Sequence, residues 1–327
     1  MNAILPKHVL GPGHVVLVLL SLVLLEWGRT LLLPLGMALV LLLTFLPVRN
    51  LWKEKIGLPG SGIVAFLACL AVLAGFCGLL WFIYHYHQAE LAQLPRDLSS
   101  SLKSTGTSVK EVTDRLLSQA TALEAILPAL AFFFFGLVEY DLLRKRLLAA
   151  LPSRQGEALL ERVEHTSSLV GIYWLARTAA GLVTGLAVGL GCWLLDIPLA
   201  FLWASLNFLF NYIPTVGSLL ASFLPAAYML VQEGPEQAAL TLLVVGGSQI
   251  VLGTFIDPLI QDRFLKLSAF TIFLAVFAFG WIWGPWGALI GVPITFIFGL
   301  LAREFPRLEA LGLVLVGENH DAGTRTD

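Results

Sequence analysis

Asn211-Tyr-Ile-Pro-Thr-Val-Gly217 interrupts an apolar run that extends from Pro198 to Val231, and Gly280-Trp-Ile-Trp-Gly-Pro-Trp-Gly287 interrupts a second run from Leu267 to Ala302. An unbroken helix of about 35 residues would be roughly 50 Å long, whereas the hydrocarbon core of a bilayer is about 30 Å thick. The proline and glycine residues in the middle of each run favour a break in the helix. Each run is therefore predicted to form a re-entrant hairpin, which enters and leaves a membrane on the same side.

The composition of the whole chain favours a membrane environment. Of its 327 residues, 57% are hydrophobic and 13% are charged, whereas soluble domains carry about 25% charged residues. The sequence shows no basic face of the kind that binds nucleic acid. Cys69, Cys77 and Cys192 lie inside apolar runs, and their spacing suits neither a zinc site nor a disulfide framework. We therefore expect the lipid bilayer as a partner, no metal and no cofactor.

Six other apolar segments are predicted to cross the hydrocarbon core as single helices, which takes about 20 residues each. They are His14–Glu26, Thr30–Val48, Gly62–Tyr84, Glu124–Tyr140, Leu169–Leu195 and Glu236–Ile256. The first is short and extends back through Val9 if it is to span. The predicted fold class is all-α: a polytopic transmembrane helical protein with six spanning helices and two re-entrant hairpins.

The positions of the lysine and arginine residues predict the orientation, because cytoplasmic loops are enriched in both. With the N-terminus inside, most of the 20 lysine and arginine residues fall on the inner side. This distribution requires both hairpins to return the chain to the side from which it came. We therefore expect a cytoplasmic-type membrane, with the N- and C-termini both in the cytoplasm.

The order of these segments divides the chain into five parts. They are N-terminal membrane helices (1–85), an outer amphipathic segment (86–123), the fourth span with a cytoplasmic linker helix (124–168), a transport core (169–302) and a cytoplasmic tail (303–327). Within the core, a span followed by a hairpin occurs twice, in opposite orientations, which predicts an inverted repeat. Paired, interrupted segments of this kind mark the binding sites of secondary transporters. The outer segment either packs on the bundle or forms an oligomer contact.

The two hairpin tips are the candidate binding site, because a broken helix exposes backbone N–H and C=O groups at membrane depth. Amide and hydroxyl side chains beside these groups suit a polar neutral solute or a partly dehydrated cation. The alternative is that they only satisfy the broken backbone, and that the tryptophans of the second tip only pack at the interface. The candidate substrate-binding residues are Asn207, Asn211, Pro214, Thr215, Gly217, Ser218, Gln249, Trp283, Gly284 and Pro285.

Two charged residues are candidates for coupling or gating. Asp257 ends the last span and precedes a proline, so it either takes part in coupling or stops the helix. Arg177 lies about two turns into its span, where an unpaired charge is costly, and it either reaches the inner surface or lines the pathway. The same span carries a glycine at every fourth position, which predicts close contact with another helix: Gly181, Gly185 and Gly189.

The segments Phe210–Gly217, Phe255–Ile260 and Trp281–Pro293, together with Arg144-Lys-Arg-Leu-Leu148, resemble the autoinducer-2 exporter family of bacterial membrane proteins. The resemblance covers most of residues 125–302. It implies a bacterial inner-membrane transporter, since members are associated with export of a small furanosyl quorum-sensing signal and others with sodium or lithium exchange for protons. The chain departs from the family pattern at Ser218, where proline is common, in its tryptophan-rich second tip and in its short outer segment.

Three functional hypotheses follow from these features. The leading one is a secondary transporter, expected to be a homo-oligomer, that exports a small polar organic solute such as autoinducer-2. The second is a sodium (or lithium)/proton antiporter, and the third is a non-transporting membrane scaffold whose outer segment binds a partner. No P-loop, metalloprotease or serine-hydrolase motif occurs in the sequence, so an enzyme is not expected.

Overall fold

The computed structural model describes residues 28–56, 60–86, 88, 123–214, 216–260, 267–303 and 308–316. These residues form helices, and no strand occurs among them apart from an isolated antiparallel bridge between Leu267 and Val316. The all-α fold class is confirmed for this part of the chain. The predicted first span, His14–Glu26, and nearly all of the outer segment 86–123 lie outside the described residues.

The described part of the chain contains ten α-helices and one π-helical turn. In chain order they are α1 (Arg29–Ile56), α2 (Gly60–Tyr86), α3 (Leu123–Ala150), α4 (Ser153–Leu194), α5 (Ala200–Phe210), α6 (Val216–Gln232), α7 (Pro235–Thr241), the π-helical turn (Leu242–Gly246), α8 (Gly247–Ile260), α9 (Ala269–Ala302) and α10 (Glu309–Leu315).

Six of the described helical segments are long and apolar enough to cross a membrane: Arg29–Lys53, Gly60–Tyr86, Glu124–Ala150, Gln155–Leu194, Pro235–Phe255 and Ala269–Ala302. The first five correspond to predicted spans, with shifted ends. The largest shift is in α4, which begins at Ser153, so that the predicted linker helix and the span from Leu169 form one continuous helix. The sixth segment is α9, the second interrupted run.

The outward surface of α2 is apolar, which fits a helix surrounded by lipid. Large side chains such as Val72, Trp81 and Phe82 are exposed along it. Within the part of the chain that the structure describes, no neighbouring atom lies within 4 Å of a Cβ placed at Gly75 or Gly78. A continuous apolar surface of this kind is unfavourable in water, so the bilayer is the solvent that stabilises it.

The helix α1 lies between the N-terminal helices and the C-terminal half, since it packs against α2, α3, α4 and α9. Leu33 and Met37 of α1 share a buried apolar cluster with Tyr173 of α4 and with Trp283 and Phe296 of α9. Because side chains of α1, α4 and α9 pack together in this cluster, α1 fixes the position of α9 relative to α4.

An ion pair joins α1 to α3 near the C-terminal end of α1. Arg49 donates to Asp141, Lys53 Nζ donates to the other carboxylate oxygen of Asp141 at 3.2 Å, and the Arg49 guanidinium lies 5.0 Å from the centre of the Tyr140 ring. The Arg49 side chain is only 1% exposed. Arg49 follows the predicted span Thr30–Val48 in the sequence, but it is a buried residue of α1.

The helices α5 and α6 form the first helix pair, joined by a tight turn after Phe210. The backbone N–H of Ile213 donates to Phe210 O at 2.9 Å, and the N–H of Gly217 donates to Ile213 O at 2.9 Å. Further from the turn, the rings of Trp203 in α5 and Tyr228 in α6 lie 5.7 Å apart. The two helices are therefore antiparallel and pack side by side.

The second helix pair consists of the two halves of α9, which reverses direction at Gly284. This residue has φ 69° and ψ −154°, a conformation that glycine adopts more readily than other residues. A Cβ at Gly291 would lie 2.9 Å from the carbonyl oxygen of Ala275, whereas residues sixteen apart in a straight helix are about 24 Å apart. The halves on either side of Gly284 therefore pack against each other.

The helix α10 folds back onto the end of α9. A Cβ at Gly312 would lie 2.8 Å from the carbonyl oxygen of Gly299, and Arg303 donates a side-chain hydrogen bond to the carbonyl oxygen of Val316. Residues 308–316 of the predicted tail therefore belong to the folded protein. Residues 317–327 lie outside the described part of the chain.

Candidate transport site

The glycine face of α4 is the surface on which the first helix pair rests. A Cβ at Gly185 would lie 2.8 Å from the carbonyl oxygen of Ala204, and a Cβ at Gly189 would lie 2.8 Å from Ala204 Cβ. A Cβ at Gly181 would lie 3.1 Å from the carbonyl oxygen of Phe208. The predicted close helix contact is confirmed, and its partner is α5.

Two polar contacts attach the tip of the first helix pair to α4. Asn211 Nδ2 donates to the carbonyl oxygen of Arg177 at 3.2 Å, and the hydroxyl groups of Thr178 and Tyr212 share a hydrogen bond of 2.8 Å. Thr178 also donates to Trp174 O at 2.8 Å. The tip is therefore held on α4 by hydrogen bonds in a largely apolar region, where polar groups need partners.

The turn itself depends on two predicted residues. Pro214 is buried, and its carbonyl oxygen accepts a hydrogen bond from Val216 N at 2.7 Å. A Cβ on Gly217 would overlap the carbonyl oxygen of Phe210, so the two helices of the pair can approach this closely only because residue 217 has no side chain. Ser218 follows in α6, where its carbonyl oxygen accepts a hydrogen bond from Ser222 Oγ at 2.9 Å.

Asn207 is the most unusual polar residue of the first helix pair. Its side chain is 1% exposed, yet neither its amide nitrogen nor its amide oxygen has a hydrogen-bond partner among the described residues. Burying an amide without partners costs about 1–3 kcal/mol or more. A polar molecule that bound beside Asn207 would supply the missing donor and acceptor.

The contacts on either side of Asn207 define its depth in the pair. Because Phe210 lies against Gly217 and Trp203 lies against Tyr228, Asn207 is level with the part of α6 that contains Ser222. A Cβ on Gly246, in the π-helical turn, would lie 4.0 Å from Ser222 Cβ. The π-helical turn therefore passes the first helix pair close to the level of Asn207, and such turns are frequent at functional sites.

Arg177 lies in the interior beside the first tip. Its side chain is 1% exposed, and its guanidinium lies 5.7 Å from the centre of the Tyr173 ring on the same helix. The side chain is enclosed by protein, and its two predicted roles, at the inner surface or in the pathway, stay predictions. Its burial places a positive charge inside the helical bundle, one residue before the Thr178 hydroxyl.

The structure describes the remaining candidate residues only in part. Gln249 is buried in α8, but no described hydrogen bond joins it to the first tip. Asp257 belongs to α8 by its backbone, while its side chain, like the whole of Thr215, lies outside the described residues. Within the described part of the chain, no three His, Cys, Asp or Glu side chains lie close enough to hold a metal.

The second tip repeats one contact of the first. A Cβ on Gly287 would overlap the carbonyl oxygen of Phe279, just as a Cβ on Gly217 would overlap the carbonyl oxygen of Phe210 at the first tip. Trp283 is 4% exposed and packs against α1, with its Cζ3 atom 3.6 Å from a Cβ placed at Gly36. Trp283 therefore supports the tip from inside the core, whereas Gly284 and the exposed Pro285 form its outer part.

The sequence model of the AI-2E family transporters matches residues 15–306. The chain belongs to this family. The predicted resemblance to the autoinducer-2 exporters is thereby confirmed, and the chain is a multi-pass membrane protein of a transporter family.

Several curated relatives fit this AI-2E family assignment. The AI-2 transport protein TqsA of Escherichia coli (strain K12) is 31% identical over 216 residues, which cover 64% of this chain and 60% of that protein. A provisionally named transport protein, MT0215 of Mycobacterium tuberculosis (strain CDC 1551 / Oshkosh), is 25% identical over 301 residues, which cover 81% of this chain and 80% of that protein. The chain thus spans about three-fifths of the length of the E. coli relative.

Sequence reasoning on this AI-2E family member missed Thr178, Tyr212 and Trp174. Thr178 lies three residues before Gly181, and Trp174 lies four residues before Thr178, so both positions continue the glycine face of α4. Extending that face toward the N-terminus would have found Thr178 as a polar partner for the tip. Tyr212 was visible inside the quoted tip, but its hydroxyl has a role only once α4 is known to lie beside it.

Proposed function

We propose that this AI-2E family member is a secondary transporter that exports a small polar organic solute such as autoinducer-2. The observation that carries the proposal is Asn207, a buried amide without partners among the described residues, in a helix pair whose tip is attached to a glycine face. In a membrane protein, a buried polar group of this kind favours a solute site over a purely structural role. The name of the E. coli relative supports autoinducer-2 as the first solute to test.

The proposed mechanism uses both helix pairs as re-entrant hairpins. At each tip a glycine lies directly against a phenylalanine carbonyl, Gly217 against Phe210 and Gly287 against Phe279, which supports an inverted repeat. In such repeats the solute binds at broken helices near the middle of the membrane. Movement of the hairpins relative to α4 would then expose Asn207 to one side of the membrane at a time. The glycine face of α4 offers a smooth surface for that movement.

The proposed orientation places the protein in the bacterial inner membrane, with both termini in the cytoplasm. The first hairpin would then enter from the outer side and the second from the inner side. The distribution of lysine and arginine supports this arrangement. The solute would pass from the inner to the outer side along the first tip, Arg177 and the region 249–258.

The experiment is counterflow of labelled autoinducer-2 into proteoliposomes that contain the unlabelled compound. Asn207→Leu removes both amide atoms and keeps a side chain of similar size, so we expect at least a tenfold loss of transport. Stability should not fall, because an unsatisfied buried amide is replaced by an apolar group. Ser222→Ala is the matched control, since the Ser222 hydroxyl already has a partner in its own helix.

Two outcomes would overturn the proposal. Full transport by Asn207→Leu would show that the solute does not depend on this amide. No transport by well-inserted wild-type protein would exclude autoinducer-2, and sodium-driven proton flux with Asp257→Asn as the variant would then test the antiporter hypothesis. Absence of both activities would leave the scaffold hypothesis.

A further inference from the structure

Arg29, the first residue of α1, lies at the tip of the second helix pair. Its Nη2 atom is 3.9 Å from a Cβ placed at Gly284, the residue at which α9 reverses direction. The pairing continues along both helices, since a Cβ at Gly36 would lie 3.1 Å from Ile294 Cδ1. Packing of α1 on α9 therefore holds the arginine beside the tip.

The Arg29 guanidinium is partly buried and makes no hydrogen bond or ion pair within the described part of the chain. The ion pairs of Arg49 and Lys53 both go to Asp141, on α3. Arg29 therefore does not serve as a cap for the carbonyl groups freed at the break in α9. A guanidinium inside a membrane protein needs an oxyanion or carbonyl partner, and its planar donors bind oxyanions in a bidentate manner.

We propose that Arg29 and the second tip form a binding site for a small organic anion. The site lies at the tip of the second hairpin, at Gly284, whereas Asn207 and Asn211 belong to the first helix pair. This inference rests on the proposed transport function, because it assigns a negative charge to the solute as it passes the second tip. Pro285 is exposed, and Arg29 Nη2 is the only neighbouring atom of the described residues within 4 Å of a Cβ placed at Gly284.

The shared chemistry is recognition of an oxyanion, which could belong to a solute in water or to a lipid phosphate. A cysteine reporter at the tip distinguishes these sources without a transport assay. Pro285→Cys is placed in a protein whose three native cysteines are replaced by alanine, and Trp281→Cys serves as a second reporter because Trp281 is 91% exposed. The probes are the anionic sulfonatoethyl and the cationic trimethylammonioethyl methanethiosulfonates.

The predicted result is a fall in the ratio of anionic to cationic labelling when Arg29 is changed to glutamine. The fall should be about fivefold or more, the size that Coulomb's law gives for loss of one nearby charge at a partly exposed site. Arg29→Lys should retain most of the ratio. Arg146→Gln, which removes an exposed arginine from α3, should have no effect. An unchanged ratio in Arg29→Gln, or an equal fall in Arg146→Gln, would overturn the site.

Protection from labelling then identifies the ligand. Gluconate should slow the anionic reagent in vesicles when Arg29 is present, whereas sorbitol, which is neutral and of similar size, should not. Protection by gluconate in phosphate-free maltoside but not in phospholipid vesicles would assign the site to a lipid phosphate and overturn the solute assignment. If labelling depends on Arg29 and gluconate protects, but the wild type shows no counterflow, only the proposed transport of autoinducer-2 is contradicted. If counterflow is normal but Arg29→Gln leaves the labelling ratio unchanged, only the anion site is contradicted.

Discussion

Gly217 illustrates how a single missing side chain determines the first tip. Its Cα lies against the Phe210 carbonyl so closely that a Cβ would overlap the oxygen. Gly217→Ala should therefore push α5 and α6 apart, with a destabilisation of about 1–3 kcal/mol from overpacking. Thermal unfolding of the purified protein in detergent measures this change, and counterflow should fall with it.

The matched control for this substitution is Gly75→Ala. Gly75 lies within α2, and no neighbouring side chain or helix of the described residues comes within 4 Å of its Cβ position. Alanine is a better helix former than glycine, so this change should leave stability unaltered or raise it slightly. Equal melting temperatures for Gly217→Ala and Gly75→Ala would contradict the close contact at the first tip.

The first tip also shows what could be predicted at the level of residues. Asn207, Asn211 and Gly217 were identified because they lie beside a proline that breaks an apolar run. Their different roles could not be predicted, because a role depends on which groups lie opposite. Asn211 bonds a carbonyl of α4 while Asn207 has no described partner, and only the packing of α5 on α4 separates the two.

The ion pair between α1 and α3 joins two helices, and substitutions of its partners test what it contributes to stability. Removing only the acid, as in Asp141→Leu, leaves Arg49 buried without its carboxylate, which should cost about 3–5 kcal/mol. Changing both residues, as in Arg49→Met with Asp141→Leu, should recover a large part of that loss, because no buried charge is left unpaired. Thermal unfolding of the single and double variants gives the comparison.

A double variant no more stable than Asp141→Leu would show that Arg49 is not destabilised by losing its partner. Lys53 serves as the internal control, since it contacts the same carboxylate but is 36% exposed. Lys53→Met should therefore have an effect of about 1 kcal/mol or less, as expected for a solvent-exposed ion pair.

The sequence predicted where the helices are interrupted more accurately than where they begin and end. Proline and glycine marked both chain reversals, since they act locally on the backbone. The continuity of α4 from Ser153 to Leu194 was not predicted, because the polar residues between Gln155 and His165 indicate a separate linker helix before the span that begins at Leu169. The Arg49–Asp141 pair was missed for a related reason: the partners are far apart in sequence, and no local pattern connects them.

At the scale of the whole molecule, α1 and α4 are the supports and the two helix pairs rest on them. The first pair contacts the glycine face of α4, and the second pair contacts α1 from Arg29 to Gly36. Ile213 and Val216 of the first tip pack against the same apolar cluster as Trp283 of the second. The sequence predicted two interrupted segments, but not that their tips share a cluster, because that depends on how the supports pack.

Counterflow of labelled autoinducer-2 into proteoliposomes, with a Pro214→Ala/Gly217→Ala variant beside the wild type, tests whether this protein transports the solute at its first tip. We expect the label to accumulate transiently with wild-type protein. With the variant, accumulation should fall to the level of protein-free vesicles while its insertion into the membrane is normal. Equal accumulation by the two proteins would contradict transport at the first tip, and none by well-inserted wild type would contradict transport of this solute.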